Sequence, residues 1–283
     1  MPPNCSPVPL YPSLLIAIAK DGYLKPTTSF PDKTYLPALS GSDVPMYGQD
    51  ILFSFARIAS ENKSVGSTVE ELKPKMRKLL EIFASGDTTG MSKRLFDAFL
   101  SDTHRFVTYF DDAALNKAAA SHPNIQYFCE AVLSAPNSLH KSVGKIRIHQ
   151  ALKNANWDIK KIKRPTGLGV PAFNRGNKTF TTGDFDNGLG LMINGVQYVY
   201  VIATHYNYDN VAKKYCITLK FIFYDVFGLD DDDLKEYGAS SDAFYNSNAS
   251  IGITAWWQLQ HQFFYAPLVT RIVLEKTYEA PAE

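Results

Sequence analysis

The sequence predicts an α+β protein, with a helical N-terminal region and a C-terminal antiparallel, β-rich, half-barrel-like domain built on a long aromatic hairpin. Two observations carry this expectation. Between about residues 47 and 163 apolar side chains recur at three- and four-residue steps, and beyond the glycines at 167, 169, 176 and 183 the period falls towards two. Composition supports it: 45% of the 283 residues are hydrophobic and 13% aromatic, enough apolar material for one large domain or two modest ones.

Residues 1–46 are rich in Pro, Ser and Asp without a sustained period and are expected to form an irregular leader. Region 47–163 should be helical. Its first helix is marked by Val69, Leu72, Met76, Leu79, Leu80 and Phe83, with Thr68 and Glu71 spaced as a capping box and Pro74 placed to shift or bend the first turn. Ser92 is expected to cap a second helix carrying Leu95, Phe96, Phe99 and Leu100. Pro123 suits the first turn of a third, with Ile125, Phe128, Val132 and Leu133 facing inward, and Arg147 to Ile162 reads as a last helix before Pro165. In the third region, 164–283, strands are expected near Gly188–Ile193, Gln197–Tyr206, Tyr215–Val226 and Leu268–Tyr278. A turn at Asp209-Asn210 joins the middle two, and a helix over Ile253–Phe264 precedes the last.

Charge and cysteine usage narrow the function classes. The net charge is +1 and the pI about 7.7, so no whole-molecule field draws in nucleic acid or an anionic membrane, and no nucleic-acid partner is expected. The three cysteines have no metal-ligand spacing, and Cys216 reads as a small buried thiol on a strand. No run approaches the roughly 18 apolar residues of a membrane span. The short apolar piece Leu14–Ala19 has no basic stretch before it, so the chain is expected to be made in a bacterial cytoplasm without a signal peptide. Walker A, GxGxxG, HExxH, GxSxG and CxxC motifs are missing.

The pattern and the chemistry disagree most at Asp225. Tyr215, Ile217, Leu219, Phe221, Phe223 and Phe227 share one parity and should line one apolar face, and Asp225 falls on that face. An ionised carboxylate there costs several kcal/mol unless a cation, a metal or hydrogen-bond donors meet it. Asp225 is therefore either a strand-end acceptor of backbone N–H groups or a catalytic or metal-binding carboxylate. The run Asp230–Asp233 suits a helix N-terminus, with Asp230 the candidate second carboxylate and partner ligand for a divalent ion, Mg or Ca. His261 lies four residues after Trp257 and is a structural histidine or an acid–base group. Arg271 is an outward solvated residue or the cation for Asp225 or a phosphate. Asp184 and Asp186 read as turn formers able to add ligands if their loop folds over the site.

Three blocks carry a resemblance: Asp186-Asn187-Gly188-Leu189-Gly190, Tyr224-Asp225-Val226-Phe227-Gly228-Leu229-Asp230-Asp231-Asp232-Asp233, and Trp256-Trp257-Gln258-Leu259-Gln260. Over about 110–278 they resemble an uncharacterised bacterial family with "NGMGI", "DHFGLDDDD" and "WFVLQR" at similar spacings. More remotely, the order of elements looks like the C-terminal half of the colicin M bacteriocins, whose motif reads Asp-x-Tyr-Asp-Phe with His-Arg shortly after. Asp225 stands at the first Asp, Phe227 at the Tyr and Leu229 at the Phe. Gly228 replaces the second Asp and no adjacent His-Arg follows; Asp230 and His261 are the nearest substitutes.

That resemblance implies a metal-dependent phosphoester hydrolase: a secreted, interbacterial toxin cleaving lipid II between undecaprenol and pyrophosphate in a target periplasm. Asp225, Asp230 and His261 would be catalytic, and Asp225 with Asp230 would hold the metal. Arg271, Phe227 and Trp257 would bind the lipid-linked precursor, and a cognate immunity protein would be a further partner. The alternative is a non-enzymatic binding or adaptor module in which Asp225 is structural. A metal-dependent nuclease toxin is the third reading.

Overall fold

The computed structural model describes residues 6–20, 67–101, 108–133, 147–171, 173, 183–193, 195–229, 231–239 and 247–282. Its strands are β1 (Val8–Lys20), β2 (Thr108–Phe110), β3 (Thr166–Leu168), β4 (Tyr198–Asp209), β5 (Lys214–Phe227) and β6 (Leu268–Pro281). They form one open sheet in the order β2-β6-β5-β4-β1-β3. The inner pairs are antiparallel, while β1–β3 and β2–β6 are parallel. The helices among the described residues are α1 (Val69–Phe83), α2 (Met91–Leu100), α3 (Ala113–Ser121), α4 (Pro123–Ala131), α5 (Ile148–Asn154), α6 (Leu189–Met192), α7 (Asp231–Tyr237) and α8 (Ser247–His261). Helices N-terminal to a mostly antiparallel sheet make the chain α+β, as the change of period predicts.

The predicted apolar face of β5 is buried. Tyr215, Ile217, Leu219, Phe221, Phe223 and Phe227 join the core with Leu72, Met76, Phe96, Phe99, Phe128 and Trp256 from the helices. The opposite face carries a second buried cluster of strand residues, including Leu15, Ile18, Tyr198, Tyr200, Ile222, Tyr224 and Val226. The aromatic hairpin is thus buried on both faces for most of its length. Helices α1 and α8 pack so closely that a Cβ on Gly252 would meet the Leu79 side chain at 2.7 Å.

Local signals explain several boundaries. Thr68 and Glu71 make the expected capping box, and Pro74 is carried inside α1 without moving its start. Pro123 opens α4. Asp209 accepts the N–H groups of Val211 and Ala212, closing the hairpin turn.

Other expectations are corrected. Residues 8–20, read as irregular leader, form β1 and pair with β3 and β4; a strand buried on both faces shows no period-two alternation to read. The predicted strand at 188–193 is the short helix α6, because a brief apolar run suits either element. The helix read over 147–162 stops at Asn154, and a 3-10 turn over Ile159–Lys161 follows. Ser92 does not cap α2. It lies inside that helix, while the Asp87 carboxylate accepts the N–H groups of Thr89, Gly90 and Ser92. Cys216 is disulfide-bonded rather than a free thiol, since an odd count still allows one bridge; the buried Cys129 is free, its thiol pushed up to about 12 by burial.

Candidate functional site

Among the described residues, the sequence-predicted groups are divided between the two faces of the sheet. Asp225 sits on the helix-covered face opposite Thr270, only 7% exposed, with its carbonyl accepting from the Thr270 hydroxyl. Phe227 stacks on Trp256 at 4.2 Å between centroids and touches Phe96 and Phe99, so it is a core residue. Trp257 is buried too, its ring 4.8 Å from that of His261 as their helical spacing predicts. Neither ring is open to a lipid chain. Asp230 lies outside the described residues, so its pairing with Asp225 is not placed. Among the described residues no group of three His, Cys, Asp or Glu side chains could hold a metal ion.

His261 Nε2 is engaged by the backbone. Gln260 receives the Leu229 N–H at 2.9 Å and returns its amide N–H to the Leu229 carbonyl at 3.0 Å. His261 Nε2 reaches the same carbonyl at 2.7 Å. A carbonyl oxygen only accepts, so Nε2 carries a proton and cannot take one from a substrate. The 3.2 Å approach between Gln260 Nε2 and His261 Nε2 joins two donors sharing one acceptor. A Cβ on Gly228 would meet Gln260 Oε1 at 3.1 Å. Two of the blocks that carry the family resemblance therefore hold each other: Phe227 against Trp256, Leu229 against Gln260 and His261.

Arg271 lies on the other side of the sheet. It pairs with Tyr224 across the strands and grips Asp111 through two hydrogen bonds, at 2.8 and 2.6 Å. Its guanidinium also lies 4.6 Å from the Tyr109 ring centre. Asp225 on the helix side and Arg271 on the opposite side cannot serve one phosphate.

The third block is likewise architectural. Asp184 accepts from His122 Nε2 at 3.0 Å, while His122 Nδ1 accepts the Asn124 N–H at the start of α4. Asp186 accepts the Ser85 hydroxyl at 2.7 Å. These two carboxylates tie their loop to α1 and α4. Gly188 has φ +88°, and a Cβ there would fall 1.9 Å from Ser92 Oγ. Only glycine fits.

The described surface does hold a concave site, at the far end of the hairpin, which sequence reasoning missed. A groove of about 540 Å³ lies between Val8, Pro9 and Leu10 of β1, the segment 156–160, and Tyr206, Asn207 and Tyr208 of β4. Three local features build it. First, Thr204 is an extra residue on β4 between the pairs Ala203–Leu219 and His205–Thr218. This bulge reverses the parity of the strand, so Tyr206 and Tyr208 turn to the helix-covered face. Second, Leu10 to Ser13 loop out of β1 between the pairs Pro9–His205 and Leu14–Ala203.

Third, α5 ends in a Schellman motif. Trp157 N–H bonds Leu152 O at 2.8 Å, Asn156 N–H bonds Lys153 O at 3.0 Å, and Asn156 has φ 52°. Asparagine tolerates that conformation. Trp157 follows at φ 61°, where a bulky residue costs about 1–3 kcal/mol. Its indole stacks on Tyr208 and Tyr215 at 5.7 and 5.5 Å, and Tyr206 donates to its carbonyl at 2.8 Å. His149 packs edge-on beneath it and shares a hydrogen bond of 3.0 Å with the Tyr215 hydroxyl. Burial lowers the His149 pKa, and among the described residues Nε2 of that ring has no hydrogen-bond partner.

No known family, no curated protein and no solved structure matches this chain. The signal that would have exposed the groove is Asn154-Ala155-Asn156-Trp157, an asparagine-rich helix stop leading directly into an aromatic.

Proposed function

We propose that the chain is a non-catalytic binding module whose ligand site is the groove around Trp157. The observation that carries this reading is the backbone of Trp157. A large aromatic is held in the left-handed region, backed by two tyrosines, at the wall of an open groove. Strain of this kind persists where surrounding contacts over-determine it, and it concentrates at ligand sites. Flat rings with a few polar neighbours, here Asn156, Asp158 and Asn207, are what a small-molecule or chain-binding cleft requires.

The lipid II-cleaving toxin reading has weaker support. Its histidine donates to a backbone carbonyl, its phosphate clamp is bound to Asp111 across the sheet, and its first carboxylate is buried. The binding reading is tested by following the Trp157 indole N–H in NMR spectra while neutral ring fragments (indole, phenol, a methyl glycoside) are titrated. Trp256 and Trp257 are buried and serve as internal controls. Fragments that move the Trp157 signal alone are the expected result. A panel that leaves it unmoved at millimolar concentration overturns the reading.

A further inference from the structure

Resting on that reading of the groove, we infer that its ligand is a nucleotide unit, a flat base carrying an anionic phosphate, free or within a single strand. The whole chain is nearly neutral at +1, yet residues 147–164 hold six cations, Arg147, Lys153, Lys160, Lys161, Lys163 and Arg164, against the single acid Asp158. That segment is +5, which leaves −4 for the rest of the chain. A global count hides the asymmetry.

The segment that carries the charge also builds the groove. Trp157 and Asn156 come from it, Lys160 lines the groove, and Lys161, Lys163 and Arg164 follow on exposed chain. Its one acid is already engaged: Asp158 accepts the Lys160 N–H at 3.1 Å and lies 3.6 Å from Lys161 Nζ. With Asp158 so engaged, the segment that borders the groove keeps a net positive charge, which favours an anion.

Charge alone would suit an acidic peptide, and rings alone would suit a sugar. Their coincidence selects a ligand with both a π-face and a phosphate. Bases stack on aromatic side chains with little sequence preference, lysines track the phosphates, and a side-chain amide such as that of Asn156 matches base edges. The volume of about 540 Å³ lies in the range of small-molecule sites and suits one nucleotide better than a folded duplex.

The test is fluorescence anisotropy of the full chain with fluorescein-labelled single-stranded decamers, ribo and deoxy, at several salt concentrations. Unlabelled adenosine and uridine monophosphate compete in a parallel series. Expected is binding that weakens with salt. Lys160→Gln should lower the slope of log affinity against log salt by about one. Trp157→Asn tolerates the left-handed backbone while removing the ring, and should weaken binding about tenfold or more. Lys160 is exposed, so its variant keeps the test valid if the tryptophan variant unfolds. Competition by the monophosphates assigns the site to one unit, and binding of decamers alone assigns it to a strand; both outcomes support the nucleotide class. Decamer binding that neither substitution alters overturns the inference. So does a phosphotyrosine peptide that binds where decamers do not. If neutral rings still move the Trp157 indole while neither nucleotide form binds, the ligand class is wrong and the groove stands. If nothing moves it, both readings fall.

Discussion

Replacing Gln260 by Met separates the hydrogen bonds of the Leu229 clamp from its packing, because the two side chains are similar in volume. In the wild type the Leu229 N–H has Gln260 Oε1 at 2.9 Å, and the Leu229 carbonyl has two donors, Gln260 at 3.0 Å and His261 at 2.7 Å. Methionine strips the N–H of that acceptor in a buried site but leaves the carbonyl served by His261. A buried donor without a partner costs about 1–3 kcal/mol, so Gln260→Met should destabilise by about 2 kcal/mol. His261→Leu removes one of two donors to a single acceptor and strands no polar group on Leu229; about 1 kcal/mol is expected. The double variant strands both groups and should cost more than the sum. Urea unfolding at constant m reads all three, and heating should show a drop of about 3–4 °C for Gln260→Met. The reasoning is refuted if Gln260→Met unfolds within about 0.5 kcal/mol of wild type, or if His261→Leu proves the more damaging.

Other expectations follow from the same structure. Gly188→Ala forces a Cβ into Ser92 Oγ at a left-handed position and should cost more than about 2 kcal/mol, read by chemical unfolding. His149 is held neutral by burial, with its pKa below the usual 6.5. Its contribution is thus present in full above about pH 6.5 and is lost as pH falls through the lower folded value. Stability measured from pH 7 to pH 5 should decline more in wild type than in His149→Phe. Arg271→Ala loses a half-exposed ion pair with Asp111 and a cation–π contact, about 1 kcal/mol together, and should leave the Trp157 groove signals unmoved. Asp225→Ala should lower the unfolding midpoint, and periplasmic expression of neither form should lyse bacteria; lysis by wild type alone would restore the toxin reading.

Much of the architecture is legible in the sequence because it rests on local periodicity. The parity of β5, the stripe of α1, the capping box at Thr68 and the proline at the start of α4 each express a short-range rule. The misreadings occur where a tertiary contact decides. Leu14–Ala19 is apolar at every position, which suits a strand buried on both faces but announces no period. The alternation of β4 holds only until Thr204, after which one extra residue exchanges the faces. The groove was not legible for a related reason. Asp225 and His261 are conspicuous because buried polar groups violate the pattern, yet a backbone partner such as the Leu229 carbonyl beside His261 is how a fold tolerates such a group. The groove residues violate nothing in the linear pattern, since Trp157 becomes unusual only through its φ.

The position of β1 also bears on how the chain is made. Lys20 pairs with Tyr198 and Ala17 with Val201, so the strand waits for residues about 180 positions downstream. At roughly 5–20 residues per second of synthesis, that is a delay of roughly 10–40 s. Until β3 is made, about 150 residues downstream, the uncharged run Leu14-Leu15-Ile16-Ala17-Ile18-Ala19 has no sheet neighbour on either side, and until β4 follows it lacks one of the two. Such a segment is prone to pair with its own kind on nearby ribosomes, or to enter the vacant slot of a second copy. Yield should therefore depend on slow expression and on chaperones that hold the nascent β1 segment, more than on the stability of the finished protein.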